Sequence, residues 1–425
     1  MSNQEAGNSS HAVYIQEKIL PMDPATLSFL NRVHDLKDDV NFSPIYVVPA
    51  ILKEVNSSSF TPRVVSIGPL HKGLANLKLV ESKKPTDLKE LLLKVGSVEE
   101  ILDDCVKKVR GSIQKIRGYY FGMKTKTYSD DELVEMMVMD GCFILQFIDK
   151  LPVTGNLFSD NKLRSRNIAL DLVLLENQIP FFVLQDIYNL TIGKLQPETT
   201  LTTMLKVLLD HINPFEHPLK ATNVGTKSTH YHILGFLHKF YKPNSRLPEI
   251  TEIPTAHSAI ELGKVGVKIM PNENLTWPMA MEFNKPALKM PVVRIDNFFE
   301  VVLRNLIAYE QYSPVDNYVT SYAMAMHMLA ATPADIAKLE KSGVIVSHLG
   351  SNEKASDMIS SICKNVNLQD FYYIKAWTNI AQYYDSYWSR NFAEFKQTYM
   401  DTPWKAVALL AAVIVFLITV AQFFR

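Results

Sequence analysis

Three consecutive polar residues, Glu176, Asn177 and Gln178, stand inside an apolar run of the sequence. Buried polar groups are costly unless they are paired, and carboxylates with perturbed pKa values often mark functional sites. A membrane-tethered hydrolase that uses Glu176 is therefore one hypothesis. In the structural alternative, Pro180 ends a helix, and the three side chains satisfy the backbone groups left free there or pair with Arg304 on another helix. We favour the structural alternative.

Asp140 and Gly141 interrupt a second apolar stretch, MMVMDGCFILQFI, from Met136 to Ile148. The carboxyl group admits a general-acid role for Asp140 in the same hydrolase hypothesis. Glycine inside a helix costs about 1 kcal/mol relative to alanine but permits close approach of another element. Helix packing is the preferred interpretation, so we assign no catalytic residue and expect the protein not to be an enzyme.

Metal and cofactor motifs receive no support from the sequence. His230, His232 and His238 have spacings of two and six, which match neither a pair of helical ligands nor a zinc finger. The segment GKVGVK (263–268) lacks the spacing of a phosphate-binding loop, and no Gly-x-Ser-x-Gly elbow occurs. We therefore predict no metal and no cofactor.

Composition narrows the function classes further. The 425 residues include 44 Lys and Arg against 44 Asp and Glu, so the formal net charge is zero. This balance gives no overall attraction to nucleic acid, which we do not expect as a partner. The three cysteines are too few and too far apart for a disulfide framework, which is typical of a reducing compartment.

The elements that must position these residues are mainly helical. Apolar residues recur at helical spacing from Glu81 to Tyr120, and Ser97 has capping-box spacing to Glu100. Cap signals at Ser129, Thr332 and Ser351 predict further helices, the last extending to about Val366. The helix after residue 161 should stop near Gln178 and be followed by a second short helix.

Short β-branched runs at GKVGVKIM, MEFN and ALKMPVVRID predict a small β element between residues 263 and 296. The fold class is therefore mainly α, a multi-helix body with a small β element and one C-terminal transmembrane helix. We predict an N-terminal segment (1–40), a mostly helical domain (41–400) with a possible lobe boundary near 193–254, and the span (404–424).

The C-terminal span is the strongest single signal. Ala406 to Phe424 contains 19 residues without a charge, which as a helix is about 28 Å long and close to the hydrocarbon core of a bilayer. Trp404, Lys405 and Arg425 are the predicted interface residues. Positive residues before the span outnumber those after it, which favours a cytosolic body and a single-pass tail anchor.

Two features of the span favour contact with a second helix. Thr419 and Gln422 are three residues apart, and Ala408 and Ala412 form a small-xxx-small pair. One interpretation is therefore that two copies of the chain associate through this helix, and the alternative is a helix that spans the membrane alone. Whether the membrane is the plasma membrane or an endomembrane is left open.

Several longer strings resemble a family of plant proteins. They are IYVVP (45–49), FTPRVVSIGPLHKG (60–73), MDGCFILQFI (139–148), the ENQIPFF string ending at Phe182, and RNLIAYEQ (304–311). In this order they are similar to the plant domain-of-unknown-function 247 proteins. The residues that match the family's motifs, and that we expect to be structural, are Asp140, Gly141, Glu176, Asn177, Gln178, Pro180, Arg304 and Glu310.

The resemblance implies a plant-restricted, mostly helical, membrane-anchored protein without an established enzyme activity. Certain grass members of the family are encoded at self-incompatibility loci, so recognition or signalling at a membrane is the function that it suggests by analogy. The resulting hypothesis is a membrane-anchored interaction protein with an unknown protein partner. The alternatives are the hydrolase that uses Glu176 or Asp140, and a passive membrane scaffold.

Overall fold

The computed structural model describes residues 23, 24, 26–28, 30, 44–121, 127–151, 162–217, 219, 230–243, 255–273 and 277–423. The chain divides into two units, residues 1–42 and 43–425. In the first unit, the described residues 24, 26–28 and 30 are helical, and the Leu27 N–H donates to the Asp23 carbonyl over 2.9 Å.

The second unit is built mainly of helices. In the described ranges these are α1 (Ala50–Lys53), α2 (Lys78–Glu81), α3 (Lys84–Val95), α4 (Val98–Arg110), α5 (Ile113–Gly118), α6 (Asp130–Asp149), α7 (Lys162–Asp171), α8 (Phe181–Leu190), α9 (Ile192–Leu195), α10 (Leu201–Ile212), α11 (Ile233–Phe240), α12 (Ala259–Lys264), α13 (Asn297–Tyr312), α14 (Tyr318–Leu329), α15 (Pro333–Lys341), α16 (Asn352–Ile362), α17 (Ile374–Asp385), α18 (Tyr387–Tyr399) and α19 (Pro403–Phe423). Two short 3-10 helices cover Ser57–Ser59 and Ala75–Leu77.

The strands are short and form small sheets. Strands β1 (Ile45–Tyr46) and β2 (Tyr120–Phe121) pair in parallel, as do β6 (Val293–Ile295) and β7 (Ile345–Ser347). A three-stranded sheet has β5 (Ala287–Met290) at its centre, parallel to β3 (Lys268–Pro271) and antiparallel to β4 (Glu282–Asn284). The predicted fold class, a mainly α body with a small β element and one apolar C-terminal helix, is confirmed.

Helix α6 lies at the centre of a group of neighbouring helices. The Ser129 hydroxyl accepts a hydrogen bond from the Glu132 N–H, and the Glu132 carboxylate accepts one from the Ser129 N–H, which completes a capping box. From Leu133 to Ile148 almost every side chain is buried, because α3, α4 and α8 pack around the helix. An element that is covered on all sides must be apolar all round, so its few polar residues need partners from neighbouring segments.

Two predicted helix ends lie elsewhere. Helix α7 ends at Asp171 rather than near Gln178, and residues 172–180 form turns and irregular chain before α8 begins. Helix α16 ends at Ile362 instead of about Val366. The helical stretch from Glu81 to Tyr120 is divided at Gly96 and Gly111 into three helices.

The region of the possible lobe boundary, 193–254, includes helices α10 and α11. Both helices contribute buried side chains, among them Leu205 and Phe236, to the hydrophobic core. The domain bounds drawn from the sequence stay a prediction.

Helix α19 differs from the others in its surroundings. Over Pro403–Gln422 its length and composition suffice to cross a membrane, and none of this apolar window is buried against the body. Its exposed side chains include Leu410, Phe416 and Leu417.

Candidate functional site

The carboxylate of Glu176 is buried and holds three donors from the N-terminal part of the body. The Val48 N–H donates to Oε1 over 2.6 Å, Lys53 Nζ lies 2.5 Å from Oε1, and His71 Nε2 lies 3.2 Å from Oε2. Burial acts to raise the pKa of Glu176, but the hydrogen bonds from His71 and Lys53 outweigh it and lower that pKa. Glu176 therefore acts as an ionised anchor for this part of the chain.

The oxygen and the nitrogen of the Asn177 side-chain amide both form hydrogen bonds with backbone groups. Its Oδ1 accepts the Ile67 N–H over 2.7 Å, and its Nδ2 donates to the carbonyls of Val65 and Asp171 over 3.1 and 2.9 Å. Asn177 has no exposed surface. The amide thus ties the turn after α7 to the extended chain at residues 65–67.

Gln178 satisfies the carbonyls of its own turn. Its Nε2 donates to the carbonyls of Leu172 and Leu174, each over 2.8 Å, and its Oε1 accepts the Leu234 N–H over 3.2 Å. These bonds replace the helical partners that residues 172 and 174 lack. The pairing with Arg304 that the sequence suggested as an alternative is wrong, because the polar triplet bonds to backbone groups and to other side chains.

Asp140 is half of a buried ion pair. Its Oδ1 lies 2.6 Å from Lys84 Nζ, and its Oδ2 accepts the Gly68 N–H over 2.8 Å. Lys84 also bonds to Glu81 and to the Ser66 carbonyl, each over 2.5 Å. Burial alone would lower the pKa of Lys84, yet the charges of Asp140 and Glu81 outweigh burial and raise it. The pKa shift therefore favours the charged form of Lys84 beside the Asp140 carboxyl group.

Gly141 lies at the contact between α6 and α8, and Pro180 lies at the start of α8. Ile187 of α8 packs against Gly141, where the missing side chain lets the two helices approach. Pro180 precedes the first residue of α8, the position at which a missing N–H costs nothing. Gly141 is therefore explained by helix packing, and Pro180 by its position at a helix start.

Asp171 is a buried carboxylate that sequence reasoning missed. It accepts the N–H groups of Arg63, Val64 and Val65 over 3.0, 2.7 and 2.9 Å. Burial raises its pKa to about 6, against the opposing effect of these donors. The available signal was a lone aspartate inside the apolar run NIALDLVLL.

Together, Asp140, Asp171, Glu176 and Asn177 form what we call the polar clasp. Each accepts N–H groups from the segment between residues 48 and 68. Residues 61–68 of this segment form neither helix nor strand, so their buried N–H groups lack regular partners. The clasp supplies them, which accounts for polar residues in apolar surroundings without invoking catalysis.

Arg304 lies on α13 and links this helix to α16. Its Nε donates to Glu300 over 2.8 Å on α13, and its Nη2 donates to the Ser361 hydroxyl over 2.7 Å on α16. The Ser361 carbonyl accepts a further bond from Nη1 over 3.2 Å. Arg304 is almost fully buried. Its guanidinium therefore acts as a fixed link between α13 and α16.

Glu310, near the end of α13, places its carboxylate at the start of α14. Its two oxygens accept the N–H groups of Val319 and Thr320 over 2.8 and 2.6 Å, and the Thr320 hydroxyl over 2.7 Å. His238 Nε2 donates to Oε1 over 2.8 Å, and the Tyr318 hydroxyl donates to the His238 carbonyl over 2.6 Å. A carboxylate at a helix N-terminus is favourable, so Glu310 also has a structural role.

The three histidines considered from the sequence, His230, His232 and His238, do not form a metal site among the described residues. His232 accepts the Gly235 N–H at Nδ1 over 3.0 Å and lies 3.1 Å from the Pro44 carbonyl at Nε2. Burial lowers the pKa of His232 to about 3 and that of His230 to about 4, so both are neutral near pH 7. Within the described ranges, no three His, Cys, Asp or Glu side chains are grouped to hold a metal ion.

Three concave surfaces are lined by residues other than Asp140 and Glu176. A hollow of about 600 Å³ borders α12, α14 and α15, and a second of about 470 Å³ borders α14 and α16. An apolar groove of about 350 Å³ lies between α3, α4 and α6, where Arg110 and Asp131 form an ion pair of 2.6 Å. The candidate acids are thus separate from these cavities.

Two of the three predicted interface residues, Trp404 and Lys405, lie at the start of α19. Trp404 is 82% exposed and Lys405 is exposed as well. Arg425 lies outside the described residues. Thr419 bonds within the helix, since its hydroxyl donates to the Val415 carbonyl over 2.8 Å.

Comparisons with known proteins agree on one family. A family model named DUF247, plant protein of unknown function, matches residues 45–418. The UPF0481 protein At3g47200 of Arabidopsis thaliana is 29% identical over 89% of this chain and 85% of its own length. The putative UPF0481 protein At3g02645 of the same plant is 23% identical over 92% of this chain and 91% of its own. No solved structure matches. With most of its length matched by the family model, the chain belongs to the DUF247 family of plant proteins of unknown function.

Proposed function

We propose that this chain is a membrane-anchored interaction or recognition protein that works by binding rather than by catalysis. The observation that carries the proposal is helix α19, an apolar helix long enough to span a bilayer with no part of its apolar window buried against the body. At about 1.5 Å per residue, its 20-residue window measures about 30 Å, the thickness of a hydrocarbon core. In water such a surface would be strongly unfavourable.

The flanking residues support a single pass through the membrane. Trp404 and Lys405 lie at one end of the span, where an exposed indole and an ammonium group suit the headgroup layer. Arg390, Lys396 and Lys405 precede the span in the sequence. An excess of positive charge on one side favours the cytosol for that side, so the proposed body is cytosolic.

The polar clasp supports binding over catalysis. Asp140 and Glu176, which the hydrolase alternative would use, already accept bonds from Gly68 and Val48 and face the cations Lys84 and Lys53. A general acid or base must reach a substrate proton at hydrogen-bond distance. Each oxygen of these two carboxylates already has a partner within the protein itself.

Membrane anchoring is tested with the full-length protein in microsomes. After alkaline carbonate extraction, the full chain should stay in the pellet, and a variant that lacks residues 406–425 should move to the supernatant. Release of the full chain by carbonate would contradict anchoring.

A protease added outside the vesicles should digest the body, and Asn189, an exposed residue in an Asn-Leu-Thr sequon, should stay unglycosylated. Protection of the body, with glycan on Asn189, would contradict the proposed orientation.

The binding role is tested with an exchange of the body. The control chimaera carries an unrelated soluble domain in front of residues 400–425. A specific partner should be captured with the native body and lost with the chimaera. Equal capture by both proteins would assign the interaction to the membrane helix and would contradict recognition by the body.

A further inference from the structure

Helix α18 carries a stripe of exposed aromatic side chains. Phe392, Phe395 and Tyr399 are 67%, 41% and 49% exposed. Spacings of three and four residues place them on one face of the helix, and the rings of Phe395 and Tyr399 are 5.2 Å apart. Met400, just beyond the helix, is 46% exposed as well. Contiguous exposed apolar surface of this kind marks an interaction site.

The rest of the helix surface is polar. Glu394 and Gln397 lie on the side away from the stripe and are exposed. Lys396 lies at the edge of the stripe, where its aliphatic stem can follow apolar surface while the ammonium group stays in a polar layer. The helix thus has one apolar face and one polar face, the pattern of helices that lie in a membrane interface.

Chain connectivity identifies what covers the aromatic stripe. Helix α18 ends at Tyr399 and the span begins at Pro403. Four residue steps reach at most about 14 Å, even when fully extended. If α19 crosses the bilayer, Tyr399 is therefore held close to the headgroup layer, and the surface nearest to the stripe is lipid.

Building on the membrane anchoring proposed above, we infer that α18 lies in the interfacial layer of the same bilayer, with Phe392, Phe395 and Tyr399 facing the acyl chains. The aromatic stripe of α18 is thus covered by lipid, at the boundary between headgroups and acyl chains. Residues 387–402 carry Arg390 and Lys396 against Glu394 and Asp401, so their net charge is zero. Apolar contact, and not attraction to anionic lipid, holds the helix there.

The test places a photo-crosslinking amino acid on each face of α18 in the full-length protein. p-Benzoylphenylalanine is introduced singly at Phe392, Phe395 or Tyr399, and at Glu394 or Gln397 as matched controls on the polar face. The proteins are reconstituted in phosphatidylcholine vesicles and irradiated, and lipid adducts are counted by mass spectrometry. Sites on the aromatic stripe should give at least about fivefold more lipid adduct than the two control sites.

A further crosslinking probe at Leu410 within the span separates two proposals, membrane anchoring by α19 and the interfacial position of α18. Lipid adducts at Leu410 together with adducts at Phe395 support both. Adducts at Leu410 without any at Phe395 overturn the interfacial position of α18 and leave the anchor intact. Loss of adducts at both sites overturns the anchor itself. Crosslinks from Phe395 to the protein body would also overturn the inference, since the stripe would then be covered by protein.

Lipid charge gives an independent measurement. Replacing part of the phosphatidylcholine by phosphatidylserine should change the adduct yield at Phe395 less than about twofold, because the segment has no net charge. A several-fold rise with phosphatidylserine would overturn the claim that apolar contact holds the helix.

Discussion

The terminal methyl group of Ile187 occupies the space in which a β-carbon on Gly141 would lie. Gly141→Ala should therefore destabilise the body by about 1–2 kcal/mol, since the overpacking exceeds the gain in helix propensity. The double variant with Ile187→Val, which removes the obstructing methyl group, should be at least as stable as Ile187→Val alone. Thermal unfolding of the full-length protein in detergent measures both, and a destabilisation that Ile187→Val did not relieve would contradict this packing.

Asp140→Asn should cost about 3–5 kcal/mol, because it leaves the buried charge of Lys84 without its main partner. Lys84→Met in the same chain should recover part of that loss, since the uncompensated charge disappears. The matched control is Asp103→Asn, which breaks the exposed pair with Lys107 and should change the unfolding free energy little. Equal effects of the two Asp→Asn changes would refute the buried ion pair as a stabilising element.

Glu176 should make the stability of the body depend on pH in a defined direction. The pKa of Glu176 in the folded protein lies below its unfolded value of 4.5. Its contribution is therefore complete above about pH 4.5 and is lost as the pH falls through the lower folded value. At pH 7, Glu176→Gln should cost about 2 kcal/mol, and the difference from wild type should shrink below pH 4.5.

Denaturant unfolding of both proteins between pH 3 and 7 measures this difference, and the exposed Glu135→Gln gives a matched control. A Glu176→Gln protein with full stability at pH 7 would contradict the structural role. That outcome would revive Glu176 as a candidate acid of the hydrolase alternative.

Alanine substitutions at Gly68 and Gly73 form a matched pair that tests how closely the turn at Gln178 approaches Gly68. Both have positive φ values, 74° and 90°. A β-carbon on Gly68 would meet the backbone oxygen of Gln178 at 2.6 Å, whereas one on Gly73 would meet nothing within 4 Å. Gly73→Ala should cost about 1–2 kcal/mol from backbone conformation alone, and Gly68→Ala should cost clearly more. Similar losses in unfolding free energy would argue against the close approach of the turn at Gln178.

Local chemistry made several elements predictable. The caps at Ser129, Thr332 and Ser351 begin helices at the expected residues, because each cap bonds to an N–H group three residues ahead. The apolar C-terminal helix was equally clear, since its apolar length is a local property. Such features need no knowledge of distant neighbours.

Long-range contacts explain the failures. The end of α7 at Asp171 could not be placed, because that carboxylate turns to bind residues 63–65, more than 100 positions earlier. Nothing nearby in the sequence marked Lys84 as buried, because its partner Asp140 is 56 positions away. The motif residues were found, but their contacts depended on the tertiary fold.

The polar clasp also has a consequence for biosynthesis. The acceptors for Val65 and Ile67 are side chains of Asp171 and Asn177, 106 and 110 positions further along the chain. A ribosome that adds about 5–20 residues per second delivers them on the order of ten seconds after the donors. During that interval the N–H groups of Val65 and Ile67 lack their native acceptors, so the segment around Val65 can reach its final conformation only after Asn177 has been synthesised.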